Sequence, residues 1–228
     1  MLKSLFPFLC TIISLPAFAA HPETFAFEDS IRLKVLPRAL TVDPSKGSLK
    51  ATADNGFVLH ANRNTDLYTF VDSSFYVHQV PMATFLADEQ FIFSARVRPD
   101  CKALYDGGAL ILYTDSSNWA KLLIEKMDDG RIMLGSSLVT GRVTDDSYHR
   151  AVNAPEVYVK AARSGNIYGF YFSEDGKKWQ LLRTFRYRNP AGLRIGFYAQ
   201  SPKGEGMELQ VSDVKYRPEA FKNFHAGE

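Results

Sequence analysis

Trp119, Lys121, Leu123 and Glu125 occupy alternate positions of the run Trp119-Ala120-Lys121-Leu122-Leu123-Ile124-Glu125. On an extended strand they therefore project from one face. An indole, an ammonium and a carboxylate on one sheet face suit sugar recognition. The ring can stack on the apolar side of a pyranose, and the charged groups can hydrogen-bond its hydroxyls. The same residues could instead form a cross-strand ion pair over a packed indole, and the sequence leaves both readings open. Tyr105-Asp106-Gly107-Gly108 leads into the preceding strand and belongs to the same cluster. An Asx turn accounts for Asp106 as readily as a ligand contact does.

Further along, Asp145-Asp146-Ser147-Tyr148-His149 reads as a polar loop rich in ligand-type groups. It could line a site, with Tyr148 as its ring. It could hold calcium, which takes several oxygen ligands, or it could simply be solvated. Five histidines without metal-ligand spacing give no zinc site. No His-Glu-x-x-His, Gly-x-Ser-x-Gly or Walker loop occurs. The Glu-x-Asp-x-x-Glu strand of jelly-roll glucanases is also missing, since Glu125-Lys126-Met127-Asp128-Asp129 lacks that spacing. A retaining glycosidase needs two carboxylates about 5–5.5 Å apart. Here they would have to come from separate strands, with Glu125 and Asp106 as candidate acid and base. No catalytic residue is assigned on the motifs alone.

The elements that must position these groups are strands. In Phe91-Ile92-Phe93-Ser94-Ala95-Arg96-Val97-Arg98, the side chains of Phe91, Phe93, Ala95 and Val97 face one way and Ser94, Arg96 and Arg98 the other. Strands are predicted at 109–114, 119–126, 131–140, 156–163, 167–173, 179–187, 193–199 and 207–216. Turns at Asp128-Asp129-Gly130, Ser164-Gly165-Asn166 and Asp175-Gly176 separate several of them. Trp179, at a strand entry, is expected to pack the sandwich edge. Residues 25–85 are less regular, with strands expected at 48–52, 57–60, 67–70 and 75–80. Even spacing of short strands predicts an all-β, two-sheet antiparallel β-sandwich.

The 228 residues carry 27 Lys and Arg against 25 Asp and Glu, a net charge of +2 without a basic block. Nucleic acid and anionic membranes, which need clustered positive charge, are poor partners. At the start, Lys3, the apolar stretch from Leu5 to Phe18 and Ala17-Phe18-Ala19 read as a signal peptide over residues 1–19. The remainder, 20–228, is expected to be a single secreted or periplasmic domain. The stretch is too short and Pro-broken to span ~30 Å of hydrocarbon, and no later segment is long and apolar enough to do so. Cleavage would remove Cys10 and leave Cys101 as a partly buried, inert thiol.

Tyr105-Asp106-x-x-Ala109-Leu110, Asp115, Trp119-x-Lys121-x-x-x-Glu125, Val139-Thr140, Ser173-x-Asp175-Gly176-x-x-Trp179 and Ser201-Pro202 follow one another in an order that resembles the domain of unknown function 1349 family. The resemblance spans roughly residues 60–216. It implies a concanavalin A-like jelly roll, similar to the sandwich attached to some β-xylosidases, and it leans toward glycan contact without implying a reaction. Family members usually have Gly near Ala109 and Ser-Asp-Trp after the Val-Thr strand. Here Asp145-Asp146-Ser147-Tyr148 stands instead, so either Tyr148 takes the place of that tryptophan or the site is altered. The expectation is a carbohydrate-binding sandwich using Tyr105, Asp106, Trp119, Lys121, Glu125 and Tyr148. A hydrolase or lyase, and a structural or partner-binding sandwich, are the alternatives.

Overall fold

A computed structural model describes residues 27–228, apart from Asp54 and Asn189. The predicted signal segment, with Cys10, lies outside the described residues. So does Asp54 of the predicted turn at 54–56. The strands are, in chain order, β1 (Phe27–Glu28), β2 (Ser30–Ile31), β3 (Leu40–Thr41), β4 (Gly47–Ala51), β5 (Phe57–Asn62) and β6 (Asp66–Thr69). Next come β7 (Tyr76–Gln79), β8 (Met82–Leu86), β9 (Phe91–Pro99), β10 (Gly107–Asp115), β11 (Asn118–Lys126) and β12 (Ile132–Thr140). The last are β13 (Val143–Ala151), β14 (Val157–Ser164), β15 (Ile167–Ser173), β16 (Gln180–Phe185), β17 (Arg194–Gln200) and β18 (Gly206–Arg217).

They form two antiparallel sheets of eight strands, ordered β1-β4-β5-β18-β9-β14-β15-β16 and β13-β12-β11-β10-β17-β8-β3-β2. The period-two patterns explain how these sheets pack. Phe91, Phe93, Ala95 and Val97 of β9 face Leu110, Leu112, Ala120, Leu122, Ile124, Ile195 and Phe197 of the other sheet in one core. Rings interlock there. Phe93 and Phe197 have centroids 5.2 Å apart, and Phe57 meets Phe197 edge-on at 5.4 Å. This is the expected all-β jelly-roll sandwich.

The less regular first part of the chain does two jobs. β1, β4 and β5 extend one sheet, and β2, β3 and β8 extend the other. Between them, β6 and β7 form a separate hairpin. Leu67 of that hairpin and Val80 just after it pack on Ile111, Trp119, Leu123, Val139 and Tyr198. Those residues belong to the outer face of the second sheet, so the hairpin covers part of that face. It is pinned there by Thr144 Oγ1 donating to Thr69 O at 2.6 Å and Ser73 Oγ donating to Arg142 O at 2.7 Å.

The polar loop predicted at 145–149 is instead part of β13, an edge strand of the second sheet. β13 packs little apolar surface on either side, so it lacks the alternation that marks a half-buried strand. Asp146 and Tyr148 stand opposite Ser137 and Gly135 of β12, on the outer face. Asp145 falls at the opposite parity, where it pairs with Arg183 at 2.6 Å. The calcium-loop reading of 145–149 is corrected accordingly. Alternate strand residues point to opposite faces and cannot converge on one ion. Among the described residues no cluster of three His, Cys, Asp or Glu side chains is placed to hold a metal.

Candidate binding groove on the outer sheet face

Register brings the second-sheet residues together. Glu125 pairs with Gly107 of β10 on one side and Met133 of β12 on the other. Gly107 pairs in turn with Gln200 of β17. Beyond β12, Tyr148 lies opposite Gly135. Between the hairpin and β13 the outer face is therefore built on Glu125 and Gln200, both of them buried. Lys121 marks the boundary with the hairpin.

Two glycines open this floor. A Cβ on Gly107 would lie 2.6 Å from Glu125 Cβ and 2.5 Å from Ile124 O. A Cβ on Gly135 would lie 3.1 Å from the Tyr148 ring, which therefore rests over that glycine. Across this gap the Tyr148 hydroxyl donates to Glu125 Oε1. Lys121 Nζ donates to Leu67 O at 2.6 Å and to Gln200 Oε1 at 3.4 Å. It also lies 5.6 Å from the centroids of both Trp119 and Tyr198. The buried ammonium thus fastens the hairpin to the sheet and is partly balanced by ring faces. Gln200 Nε2 donates to Tyr105 O at 3.2 Å.

The electrostatics follow from burial. Glu125 is 6 % exposed. Burial raises its carboxyl above the usual range, Lys121 and the Tyr148 hydrogen bond oppose that rise, and Asp66 and Asp146 add to it. Asp66, at the start of the hairpin, is raised for the same first reason and likewise opposed by Lys121. Burial and then Glu125 push the Tyr148 phenol up. The Tyr198 phenol, fully buried, is pushed well up, with Glu125, Asp66, Tyr148 and Asp146 adding to the effect of burial. Its hydroxyl has no hydrogen-bond partner among the described residues.

The six residues expected at the site separate into two groups. Tyr105, Lys121, Glu125 and Tyr148 gather on this part of the outer face, Lys121 and Glu125 buried and Tyr105 38 % and Tyr148 49 % exposed. Tyr105 adopts φ 63°, an uncommon conformation for a bulky residue, held by its N–H donating to Lys126 O at 2.8 Å. Trp119 and Asp106 serve the fold. Trp119 is fully buried under the hairpin and has no open ring face to stack on a ligand. Asp106 is fully buried too. Its carboxylate accepts from Ala103 N at 2.7 Å, Lys102 N at 3.1 Å and Ser201 Oγ at 2.7 Å. That pattern fixes the loop ahead of β10 and leaves Asp106 unavailable as the acid or base partner of Glu125. Cys101 is partly buried and its thiol is pushed up to about 12, chiefly by burial. Asp66, Tyr68 and Gln200 lie beside Glu125 without having been singled out from sequence, and Tyr198 is buried beneath the hairpin with Trp119. Tyr198 and Gln200 share the parity of their strand, but only the β10–β17 register sets them beside Glu125.

Known proteins share this architecture. A crystallised protein of unknown function from Saccharomyces cerevisiae superposes with a TM-score of 0.68 at 21 % identity, covering 78 % of this chain and 98 % of its own. The GH43 protein BlXynB of Bacillus licheniformis superposes with a TM-score of 0.60 at 14 % identity, over 78 % of this chain. A xylan β-1,4-xylosidase from Bacillus halodurans does so at 0.56 and 15 %. The chain corresponds to only 35 % and 41 % of those two enzymes, and such identities show the fold alone. In sequence, the chain is 25 % identical over 135 residues to "Regulation of enolase protein 1" of Saccharomyces cerevisiae, which covers 59 % of this chain and 68 % of the yeast protein. That relative corrects one expectation. It is named for regulation of enolase, and against it the secreted or periplasmic assignment made from the first residues is withdrawn. The family model described as "Protein of unknown function (DUF1349)" matches residues 43–219, and the chain belongs to that family.

Proposed function

We propose that the chain binds a carbohydrate in the groove between the β6–β7 hairpin and β13, and that it does so without cleaving it. The observation that carries this reading is the pairing of Glu125 with the exposed Tyr148 ring over Gly135. A buried carboxylate at the foot of two exposed tyrosines offers both parts of sugar recognition, rings for the apolar sugar face and an acceptor for hydroxyls. Asp106 is committed to its own loop, so the acid–base pair that a hydrolase would draw from Glu125 and Asp106 is not assembled. The sandwiches of the xylan-degrading enzymes add support at the level of fold only.

Affinity electrophoresis through gels containing plant, microbial and host polysaccharides tests the proposal. Retardation in at least one gel, lost in Glu125→Gln and Tyr148→Ala, is the expected result. Free migration in every gel would refute it.

A second reading, protein-partner binding, has its own observation. Phe70, Val71 and Phe75 are exposed together at the hairpin tip, and Phe70 and Phe75 each lie 6.3 Å from the Tyr68 ring. An apolar tip of this kind suits a protein contact, and the yeast relative is named for regulating an enzyme. Under that reading Phe70→Ser with Phe75→Ser would abolish association with a partner while leaving glycan gels unaffected.

A further inference from the structure

The sandwich opens at one end of the β9–β14 pair. These strands pair as far as Val97 opposite Val157, and beyond that point the two segments part. Residues 98–101 form one wall of the resulting cleft and residues 154–156 the other, and the cleft encloses about 420 Å3. Sites for small molecules usually measure about 300–1,000 Å3.

Both walls are fixed by the fold. Asp100 N–H donates to Glu208 O at 2.9 Å, and Val152 N–H donates to Ile132 O at 2.8 Å. Pro99 stands in one wall and Pro155 in the other, each with its φ set by the ring. A cleft held open in this way costs a ligand little reorganisation.

The floor is apolar. Val97, Ile124, Val152 and Val157 belong to the buried core, and Ile132 packs against it. Ile124 points into the sandwich where its neighbour Glu125 points out, so this cleft lies on the other side of the sheet from the Glu125–Tyr148 groove. Cys101 adds an uncharged thiol.

The mouth is charged but balanced. Arg96 pairs with Glu156 at 3.0 Å, and Lys102 pairs with Asp100 at 2.5 Å. Arg98 and Glu208 add one charge of each sign. A charged head group therefore meets no net attraction there to offset its loss of hydration. The exposed Gln210 side chain offers a neutral donor and acceptor.

We infer that this cleft binds a small apolar molecule whose uncharged polar head hydrogen-bonds at the mouth. Such binding is independent of the outer-face groove and stands or falls without it.

The test is a methyl NMR titration of the full chain at neutral pH. The probes are 3-phenylpropanol, 3-phenylpropanoate and 3-phenylpropylammonium, which share one ring and spacer and differ in the charge of the head. The alcohol is expected to shift the methyl signals of Ile124, Ile132 and Val152 saturably, and to leave that of Val139, under the hairpin, unmoved. Both ions are expected to bind about ten-fold more weakly, because their heads are costlier to desolvate. Ala154→Trp, at an exposed position of the wall, is expected to abolish the shifts without changing the melting temperature. No saturable shift with the alcohol, or shifts that persist in Ala154→Trp, would overturn the site. An ion bound as tightly as the alcohol would overturn the preference for an uncharged head.

Discussion

The Tyr148 hydroxyl donates to the Glu125 carboxylate across an intervening strand, joining β13 to β11 although β12 lies between them. The bond gives a buried carboxylate a side-chain hydroxyl donor and holds the Tyr148 ring over Gly135. Tyr148→Phe keeps the ring and removes the donor. Leaving a buried charged acceptor short of a partner costs about 1–3 kcal/mol, and urea denaturation at pH 7.5 is expected to show a loss in that range. A double-mutant cycle with Glu125→Gln should return a coupling of about 1 kcal/mol or more. Additive effects would show that the bond contributes nothing.

The pH dependence of stability isolates Glu125. Its carboxyl is raised in the folded chain, first by burial. An acid with a raised folded pKa contributes stability that is fully present below its unfolded value and is lost as pH rises through the folded value. In wild type this carboxyl therefore draws stability down from mildly acid pH toward neutrality, while His78 and His149, lowered by burial, raise it over the same window. Glu125→Gln should lose less over the same window. Asp66, raised in the same direction, contributes equally in both proteins and leaves the difference between them to Glu125. Parallel denaturation curves of the two proteins at pH 4.5, 6 and 7.5 make the comparison, and identical slopes would contradict it.

Tyr105 separates a strained backbone from a binding ring. Asn accepts positive φ far more readily than a bulky side chain does. Tyr105→Asn should keep or slightly raise thermal stability, while ligand retardation falls because the exposed ring is gone. A large drop in melting temperature would show that the ring, and not the strain, matters to the fold.

Trp119→Ala is expected to cost about 3–5 kcal/mol, the usual penalty for emptying a buried aromatic site, and to loosen the hairpin that lies over it. Lost binding in this variant would then report on folding. Limited proteolysis at residues 70–75, compared with wild type, checks this. A stable variant with an uncut hairpin would place Trp119 outside the packing described.

A fifth prediction concerns the opposite side of the molecule. Residues 218–228 run over the outer face of the first sheet. Phe221 packs with Ile92, Ala162 and Tyr171, and Lys160 donates to Ala226 O at 3.0 Å while lying 3.9 Å from the Trp179 ring centroid. Gly227 has φ 64°, and a Cβ there would lie 2.6 Å from the Tyr171 ring. Gly227→Ala should detach this segment and shift tryptophan emission to longer wavelength as Trp179 meets water. Unchanged emission would count against such a tight fit.

Much of the sandwich is legible in the sequence, because strands such as Phe91–Pro99 alternate apolar and polar residues from Phe93 to Arg98 and turns such as Asp129-Gly130 are chemically marked. The alternation in Trp119–Glu125 also identifies correctly which side chains share a face. It cannot show what lies on that face. Leu67, 52 positions upstream of Trp119, closes over the indole, and only three-dimensional structure reveals that. β13 is missed for the complementary reason, since its pattern is exposed almost throughout. Tyr198 and Gln200 are invisible as site residues because cross-strand register with β10 is a long-range property.

The exposed edge of β13 has a further consequence. An unpaired strand edge invites a strand from another molecule to add to it. Asp146 projects from this edge on the outer face while Asp145 is already paired with Arg183, so a second copy arriving in antiparallel alignment would bring like charges together on the outer side of the sheet. Asp146 thus helps keep the chains apart in concentrated solution, and neutralising it should favour self-association.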